Sequence, residues 1–193
     1  IIGGGRWSRV LSEVLMGLTP ISTKISIHSI HNINPLNKWI LSNKFNYRIS
    51  VLKKWPEFDN SKRNLLIVAN SNKDHFEGVL FGLNNRVPVF AEKPLTLSYN
   101  KSIELKNIAK KNKTILVSSN IFLFANYFNE FLKIIPSKKD ITKIDFFWHD
   151  PIMENRYGEE KKFDSSVPVF KDVLHHILPL LSEILGGFPE KYN

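Results

Sequence analysis

Cysteine is absent from this sequence of 193 residues. Its absence excludes a disulfide framework, a thiolate nucleophile and cysteine-based zinc sites, and we expect no metal site of another kind. Long apolar runs are absent as well. None approaches the roughly 20 residues of a membrane span, and the first residues lack the basic and apolar regions of a signal peptide. These absences predict a cytoplasmic protein without a membrane partner.

Acidic residues are in deficit, with 18 Asp and Glu against 27 Lys and Arg, which gives a net charge of +9. Such a balance is compatible with a nucleic acid, an acidic membrane surface or a phosphorylated ligand. The lysines are scattered over helix ends and loops, however, without the interleaved aromatic residues of RNA-binding motifs. Apolar residues make up 42% of the chain, which is typical of a globular protein. We therefore expect a small-molecule substrate and no nucleic-acid partner.

Predicted strands and helices alternate over the first 119 residues. The strands are predicted at 24–28, 47–52, 65–69, 87–91 and 114–118. The helices are predicted at 10–17, 36–41, 74–83 and 99–111. The segment 65–69 is continuously apolar, which is typical of a parallel strand buried on both faces. This alternation predicts an α/β fold with a doubly wound parallel sheet, the Rossmann arrangement.

The regular alternation of predicted strands and helices does not continue beyond residue 119. Helices are predicted at 127–135 and 170–185, a strand at 141–149 and a polar loop at 150–166. We therefore predict a dinucleotide-binding domain at 1–119, followed by the beginning of a mixed α/β substrate domain at 120–193. A lone strand leaves its backbone edges unpaired, so we expect this second domain to be incomplete. We also expect a few N-terminal residues to be missing, because only two isoleucines precede the first turn.

A glycine-rich turn opens the first predicted helix. Gly3-x-Gly5-x-x-Ser8 is a variant of the dinucleotide-binding fingerprint, in which two glycines let the backbone approach a pyrophosphate at a helix N-terminus. Ser8 stands where a third glycine usually allows close contact between helix and strand. By itself the motif is compatible with any tight turn, but the alternating pattern around it favours a cofactor site.

The fingerprint predicts an acidic residue about 20 positions further on, which would bind the ribose hydroxyls. The segment 28–32 contains no carboxylate. Ser29, His31 and Lys38 are able to accept a 2′-phosphate that an aspartate would repel, so we favour NADP over NAD. The alternative is an ordinary solvent-exposed loop, above all for His31.

Polar residues also stand in two places where chemistry is expected. Glu92-Lys93-Pro94 follows the predicted strand 87–91, at the edge where open α/β sheets bind ligands, although a lone lysine is usually solvated. Asp172 and His176 lie four residues apart on an otherwise apolar helix, so they share one face. Buried polar groups need partners or a cavity, and a hydrogen-bonded core histidine is the alternative for His176. His175 is expected to point elsewhere.

These motifs together resemble one family. The order of Gly3-x-Gly5-x-x-Ser8, Ala69-Asn70-Ser71-Asn72-x-x-His75, Glu92-Lys93-Pro94 and Asp172-x-x-x-His176 is similar to that of the Gfo/Idh/MocA oxidoreductases. These NAD(P)-dependent enzymes act mainly on sugars and cyclitols. Family members are longer and join a Rossmann domain to a mixed α/β domain built on a large open sheet, which agrees with the incomplete second domain predicted above.

The resemblance implies hydride transfer between a nicotinamide and a sugar, sugar-nucleotide or polyol carbon, by a protein that is a homo-oligomer when full length. It places residues 3, 5, 6 and 7 along the pyrophosphate and Glu92 with Lys93 beside the nicotinamide. Lys93 and His176 would flank the reacting carbon, while Asp172 would bind a substrate hydroxyl or orient His176. The candidate cofactor-binding residues are thus Gly3, Gly5, Arg6, Trp7, Ser8, Ser29, His31, Asn70, Ser71, Asn72, His75, Glu92 and Lys93.

The sequence departs from the family pattern on the substrate side. The segment 168–171 lacks the glycine pair that often precedes the aspartate, and Asn120-Ile121-Phe122 lacks the arginine of many members. The candidate substrate contacts are Trp148, His149, Arg156 and Tyr157, although a loop rich in charge is solvated by default. A non-catalytic dinucleotide-binding protein of the same fold, either a sensor or a pseudoenzyme, is the alternative function. An NAD-dependent glycosidase or an imine reductase of the same family would share the cofactor-binding domain.

Overall fold

The computed structural model describes residues 1–149, 153, 155, 156, 159, 160 and 168–187. The chain divides into two units, Ile1–Ser119 and Asn120–Asn193. Each unit is described by itself below.

The first unit alternates strands and helices as the sequence predicts. Its elements are α1 (Arg6–Leu18), β1 (Ile25–His28), α2 (Ile33–Ser42), β2 (Ile49–Leu52), β3 (Leu66–Val68), α3 (His75–Asn84), β4 (Val89–Ala91), α4 (Tyr99–Lys111) and β5 (Leu116–Ser118). Short 3-10 turns lie at Phe45–Tyr47 and Asn72–Asp74. The predicted Rossmann fold is confirmed.

All strands of this unit run parallel. β1 pairs with β2, and β4 lies between β3 and β5. Ile2 forms parallel bridges to both His28 and Val68, and its amide donates to the carbonyl of Ile67 at 2.7 Å. The sheet order is therefore β2, β1, Ile2, β3, β4, β5, and the residue before the glycine turn occupies the central position of the sheet.

Apolar residues of β3, and Ala69 directly after it, enter two cores on opposite faces of the sheet. Leu66 and Val68 pack in the cluster that also contains buried residues of α3 and α4. Ile67 and Ala69 pack in the cluster that receives residues of α1 and α2. Because successive side chains of a strand point to opposite faces, this division shows that helices cover both faces, as in a doubly wound sheet.

A buried arginine closes the carboxyl end of α1. The guanidinium of Arg48, which is only 5% exposed, donates to the Met16 carbonyl at 2.9 Å, to the Thr19 hydroxyl at 2.6 Å and to the Thr23 carbonyl at 3.1 Å. The last carbonyls of a helix carry partial negative charge and attract cations. Arg48 therefore ties the end of α1 to the segment in front of β2.

The second unit contains two longer helices, α5 (Asn126–Ile134) and α6 (Val169–Leu185). Two-residue strands, β6 (Asn155–Arg156) and β7 (Glu159–Glu160), pair antiparallel. Both predicted helices are confirmed, but the predicted strand at 141–149 is wrong, because no regular structure forms there. Within the described residues these nine pair with no neighbouring strand, and an isolated strand is unstable in water. Most of the predicted loop 150–166 lies outside the described residues.

No helix in the described part of the chain combines the length and the apolarity that a membrane crossing requires. Over the same residues, no three His, Asp or Glu side chains cluster as metal ligands would.

Candidate functional site

The glycine turn is shaped by two glycines with different surroundings. Gly3 has a φ of 118°, and a Cβ there would lie 2.5 Å from the carbonyl oxygen of Ala69, so only glycine fits. A Cβ on Gly5 would meet no heavy atom within 4 Å. Gly5 is the N-cap of α1, and no described side chain caps this helix. Open space therefore adjoins Gly5 at the N-terminus of α1, the kind of helix end whose amides bind anions.

Ser29 lies against the turn at the carboxyl end of β1. A Cβ on Gly4 would overlap the Ser29 side chain, and the Ser29 hydroxyl accepts from the Asn32 amide at 3.1 Å. Ser29 is buried, whereas His31 and Lys38 are exposed. Ser29 thus lies beside the glycine turn, and no carboxylate occupies the segment 28–32; that Ser29 accepts a 2′-phosphate stays a prediction.

Several polar atoms near the turn are buried without a hydrogen-bond partner among the described residues, namely Trp7 Nε1, Ser8 Oγ, His28 Nδ1 and Asn70 Oδ1. Burial of an unpaired polar group costs about 1–3 kcal/mol. The indole of Trp7 only donates, whereas the amide oxygen of Asn70 only accepts. Phosphate oxygens and ribose hydroxyls complement these two groups, so the residues present fit a dinucleotide. Ser8 is fully buried, which places it in the contact between α1 and the sheet.

The residues after β3 form a compact polar turn. The side-chain amide of Asn70 donates to the Asp74 carbonyl at 3.2 Å, and the Ser71 hydroxyl hydrogen-bonds the Asp74 carboxylate. Ser71 is exposed and Asn72 is half-buried. His75, by contrast, is 1% exposed, and that it lines the cofactor stays a prediction.

Glu92 and Lys93 are half-buried at the carboxyl end of β4. The Glu92 amide donates to the Val68 carbonyl at 2.8 Å, and the Lys93–Pro94 peptide bond is cis. The backbone of Gly3 packs against Ala69 and Asn70 at the end of β3, and β4 runs parallel beside β3. The glycine turn, the end of β3 and this loop therefore lie at the same edge of the sheet. That edge is where open parallel sheets bind ligands.

Asp172 and His176 lie in the second unit, on the first two turns of α6. The Asp172 amide donates to the Pro168 carbonyl at 3.1 Å, and a carboxylate at this end of a helix also favours the helix dipole. The imidazole of His176 stacks on Trp148 with centroids 5.2 Å apart and meets the Phe122 ring edge-on at 4.9 Å. Aromatic rings therefore hold His176 on two sides.

A shallow depression adjoins this histidine. Its lining includes Asn120, Phe122, Pro179 and both adjacent histidines. Successive residues of a helix point about 100° apart, so this shared border leaves the direction of the His175 side chain a prediction. His176 itself is half-buried at this depression.

Sequence reasoning missed two of these relationships. It treated Trp148 as a substrate contact in a solvated loop, whereas the ring packs on His176. It also assigned no role to His28, which is buried and stacks on Trp55 with centroids 5.3 Å apart. Neither pairing follows a local spacing that would reveal it. The side chain of Arg156 and all of Tyr157 lie outside the described residues, and His149 is exposed.

Comparison with known proteins agrees with this fold. A family model described as an oxidoreductase family with an NAD-binding Rossmann fold, Gfo/Idh/MocA, matches residues 1–120. A search of curated proteins gave no significant match.

Three solved structures illustrate the likeness. A myo-inositol 2-dehydrogenase from Lactobacillus plantarum is 18% identical with a TM-score of 0.57, over 69% of this chain and 39% of that one. GenD2 from gentamicin A biosynthesis, in complex with NAD, is 21% identical with a TM-score of 0.61, over 73% and 39%. A 3-ketoreductase from Actinomadura kijaniata, in complex with NADP and TDP-benzene, is 18% identical with a TM-score of 0.57, over 69% and 40%.

Identities this low show a shared fold, and the chain spans about two-fifths of the length of these structures. The family model, in contrast, matches more than half of the chain. The chain therefore belongs to the Gfo/Idh/MocA oxidoreductase family, whose N-terminal part is an NAD-binding Rossmann fold.

Proposed function

We propose that the protein is an NAD(P)-dependent dehydrogenase or reductase that acts on a CH–OH or carbonyl group of a small, carbohydrate-like molecule. The observation that carries the proposal is the sheet edge where the open turn at Gly5, the unpaired Asn70 oxygen and Lys93 converge. The similar structures include an inositol dehydrogenase and a ketoreductase, which supports this substrate class.

The pyrophosphate of the cofactor would lie against the first turn of α1. Gly5 leaves that space open, and the amides of α1 with the half-buried Arg6 and Trp7 supply donors. Asn70, Ser71 and Asn72 would border the cofactor at the neighbouring strand end. Glu92 and Lys93 would lie beside the nicotinamide ring.

We favour NADP as the cofactor. Residues 1–119 hold 18 of the 27 basic residues but only 7 of the 18 acidic ones, so their balance is 18 − 7 = +11 against +9 for the whole chain. A positive field attracts the more highly charged phosphate ligand. Ser29 and the exposed His31 provide donors without a repelling carboxylate. The measurement is a fluorescence titration with NADPH and with NADH, and tighter NADH binding would contradict the preference.

A bound nicotinamide would supply the hydride acceptor or donor for the reaction. Lys93 would stabilise negative charge on the reacting oxygen of the substrate. The family resemblance assigns the proton transfer to His176, since imidazole is an effective base and acid near neutral pH. Asp172, one helical turn before His176, would bind a neighbouring hydroxyl or orient the imidazole.

The test is turnover with a panel of cyclitols, sugars and keto sugars, followed by the nicotinamide absorbance. Lys93→Ala and His176→Ala should each lower turnover at least about a hundredfold, while NADPH binding persists in His176→Ala. Unchanged turnover in both variants would contradict the catalytic assignment. A wild-type protein that binds NADPH but turns over no member of the panel would favour a non-catalytic sensor.

A further inference from the structure

We infer that His75 is a positioning residue for Lys93, which fixes the loop at the nicotinamide end of the cofactor site without touching the cofactor. The inference rests on the proposed function, because it assigns Lys93 to the nicotinamide side. It is an alternative to the expectation that His75 lines the cofactor, and the side chain is 1% exposed.

Lys93 stands between two anchored neighbours. On one side, the Glu92 amide donates to the Val68 carbonyl at 2.8 Å, which continues the pairing of β4 with β3. On the other side, the carbonyl oxygen of Pro94 lies 2.6 Å from Nδ1 of His75. Pro94 is itself fully buried. The backbone of Lys93 is therefore held from both directions, and His75 provides one of the two anchors.

The ring of His75 also lies beside the end of β3. Its second ring nitrogen, Nε2, lies 3.2 Å from the carbonyl oxygen of Asn70. Both of these neighbours are carbonyl oxygens, which only accept, so a neutral imidazole with its single N–H donates to one of them. The contact to Pro94 is the shorter one, so we assign the N–H to Nδ1; the contact to Asn70 is then packing and not a hydrogen bond.

The chain beyond Pro94 has its own polar anchors. The Thr96 hydroxyl donates to the Ser98 carbonyl at 2.6 Å and accepts from the Ser98 amide at 3.0 Å. These contacts hold the start of α4 independently of His75. Loss of the His75 donor would therefore leave a buried carbonyl unpaired and loosen the short segment around Lys93, while the strands and helices on either side remain tied.

The experiment compares whole-cofactor binding with binding of the fragment that lacks nicotinamide. One probe is NADH or NADPH, whichever the wild-type protein binds more tightly. The other is the matching fragment without nicotinamide, which is ADP-ribose for NADH and its 2′-phosphate for NADPH. His75→Phe keeps a planar ring but removes the donor, whereas the amide nitrogen in His75→Asn occupies the place of Nδ1. Val79→Ala is the matched control, because Val79 is fully buried on the same helix.

We expect His75→Phe to lower the affinity for the reduced cofactor about tenfold and the affinity for the fragment less than about twofold, because one buried hydrogen bond is lost. His75→Asn should recover most of the affinity. Val79→Ala should change both ligands by the same factor. Without ligand, the backbone amides of the segment 92–95 should exchange about tenfold faster in His75→Phe than in the wild-type protein. If His75→Phe does not fold, His75→Gln replaces it in this comparison.

If His75→Phe lowers the affinities for the cofactor and the fragment by the same factor, the inference is overturned and His75 is a purely structural residue. A His75→Asn variant as weak as His75→Phe would overturn the role of the hydrogen bond to Pro94. Failure of the wild-type protein to bind either reduced cofactor would contradict the proposed function, whereas unchanged exchange in residues 92–95 would contradict the His75 inference alone.

Discussion

The imidazole of His176 lies parallel to the indole of Trp148, with the ring centroids 5.2 Å apart and an interplanar angle of 4°. Phe122 meets the same imidazole at 77°. Aromatic pairs of this kind are worth about 0.5–1.5 kcal/mol beyond their buried area. The two contacts therefore restrict the orientation of the ring that we propose as the acid and base of the reaction.

Trp148→Ala should consequently lower turnover by about tenfold to a hundredfold, because a misplaced catalytic group loses rate steeply. NADPH affinity should stay within about twofold, since the contact lies outside the cofactor turn. The measurement is kcat together with an NADPH titration. Trp148→Phe is the control, because it preserves an aromatic face and should retain most of the turnover. Equal turnover in Trp148→Ala and the wild-type protein would show that stacking does not position His176.

Gly3 and Gly5 should respond differently to the same substitution. Gly3→Ala introduces a Cβ at a φ of 118° and 2.5 Å from a backbone oxygen, so it should lower the free energy of unfolding by at least about 1–3 kcal/mol. Gly5→Ala meets no protein atom within 4 Å and should leave stability within about 0.5 kcal/mol. Its methyl group would occupy the proposed pyrophosphate position, so NADPH affinity should fall at least about tenfold.

Gly17→Ala is the matched control for this pair, because Gly17 lies on α1 and a Cβ there also meets nothing within 4 Å. It should bind NADPH normally and be slightly more stable than the wild-type protein, because alanine has a higher helix propensity than glycine. Thermal unfolding and fluorescence titration measure both effects. Normal NADPH affinity in Gly5→Ala would show that the turn is not the cofactor site.

Ser29→Asp should reverse the proposed cofactor preference. A carboxylate is also an acceptor for the backbone amide of Asn32, but it repels a 2′-phosphate. NADPH affinity should fall at least about tenfold, and NADH affinity should stay equal or rise. The control is Ser22→Asp, which adds the same charge at an exposed position before β1. Equal changes in the two variants would assign the effect to net charge.

Arg48→Met should lower the free energy of unfolding by about 2–4 kcal/mol, because it removes charge-assisted hydrogen bonds to three oxygen acceptors. Arg48→Lys should recover only part of that stability, since an ammonium group does not reproduce the planar fork of a guanidinium. Urea unfolding measures the difference. A loss below about 0.5 kcal/mol in Arg48→Met would mean that Arg48 does not hold the end of α1.

Much of the fold follows from short stretches of sequence. The periodicity of α4 predicts a helix at 99–111, and the structure has it at Tyr99–Lys111. The apolar run at 65–69 contains β3. Helical and extended periodicities are set by residues within a few positions of each other, so these elements need no tertiary information.

The strand predicted at 141–149 shows where this reasoning stops. Apolar residues occur there at suitable positions, yet a strand forms only when a second strand satisfies its backbone groups. The described residues place no such partner beside it. Whether an apolar segment becomes a strand is therefore decided by the surrounding fold.

The sequence by itself determined the glycine turn, the order of the elements in residues 1–119 and the family, and it proposed Lys93, Asp172 and His176 as site residues. Only the tertiary structure decided which side chains meet. It paired Trp148 with His176, placed His75 under Pro94 and set Arg48 at the end of α1. The partners in these pairs are 28, 19 and 32 residues apart. Local periodicity therefore encodes the elements, whereas packing between elements distant in sequence selects the contacts of the site.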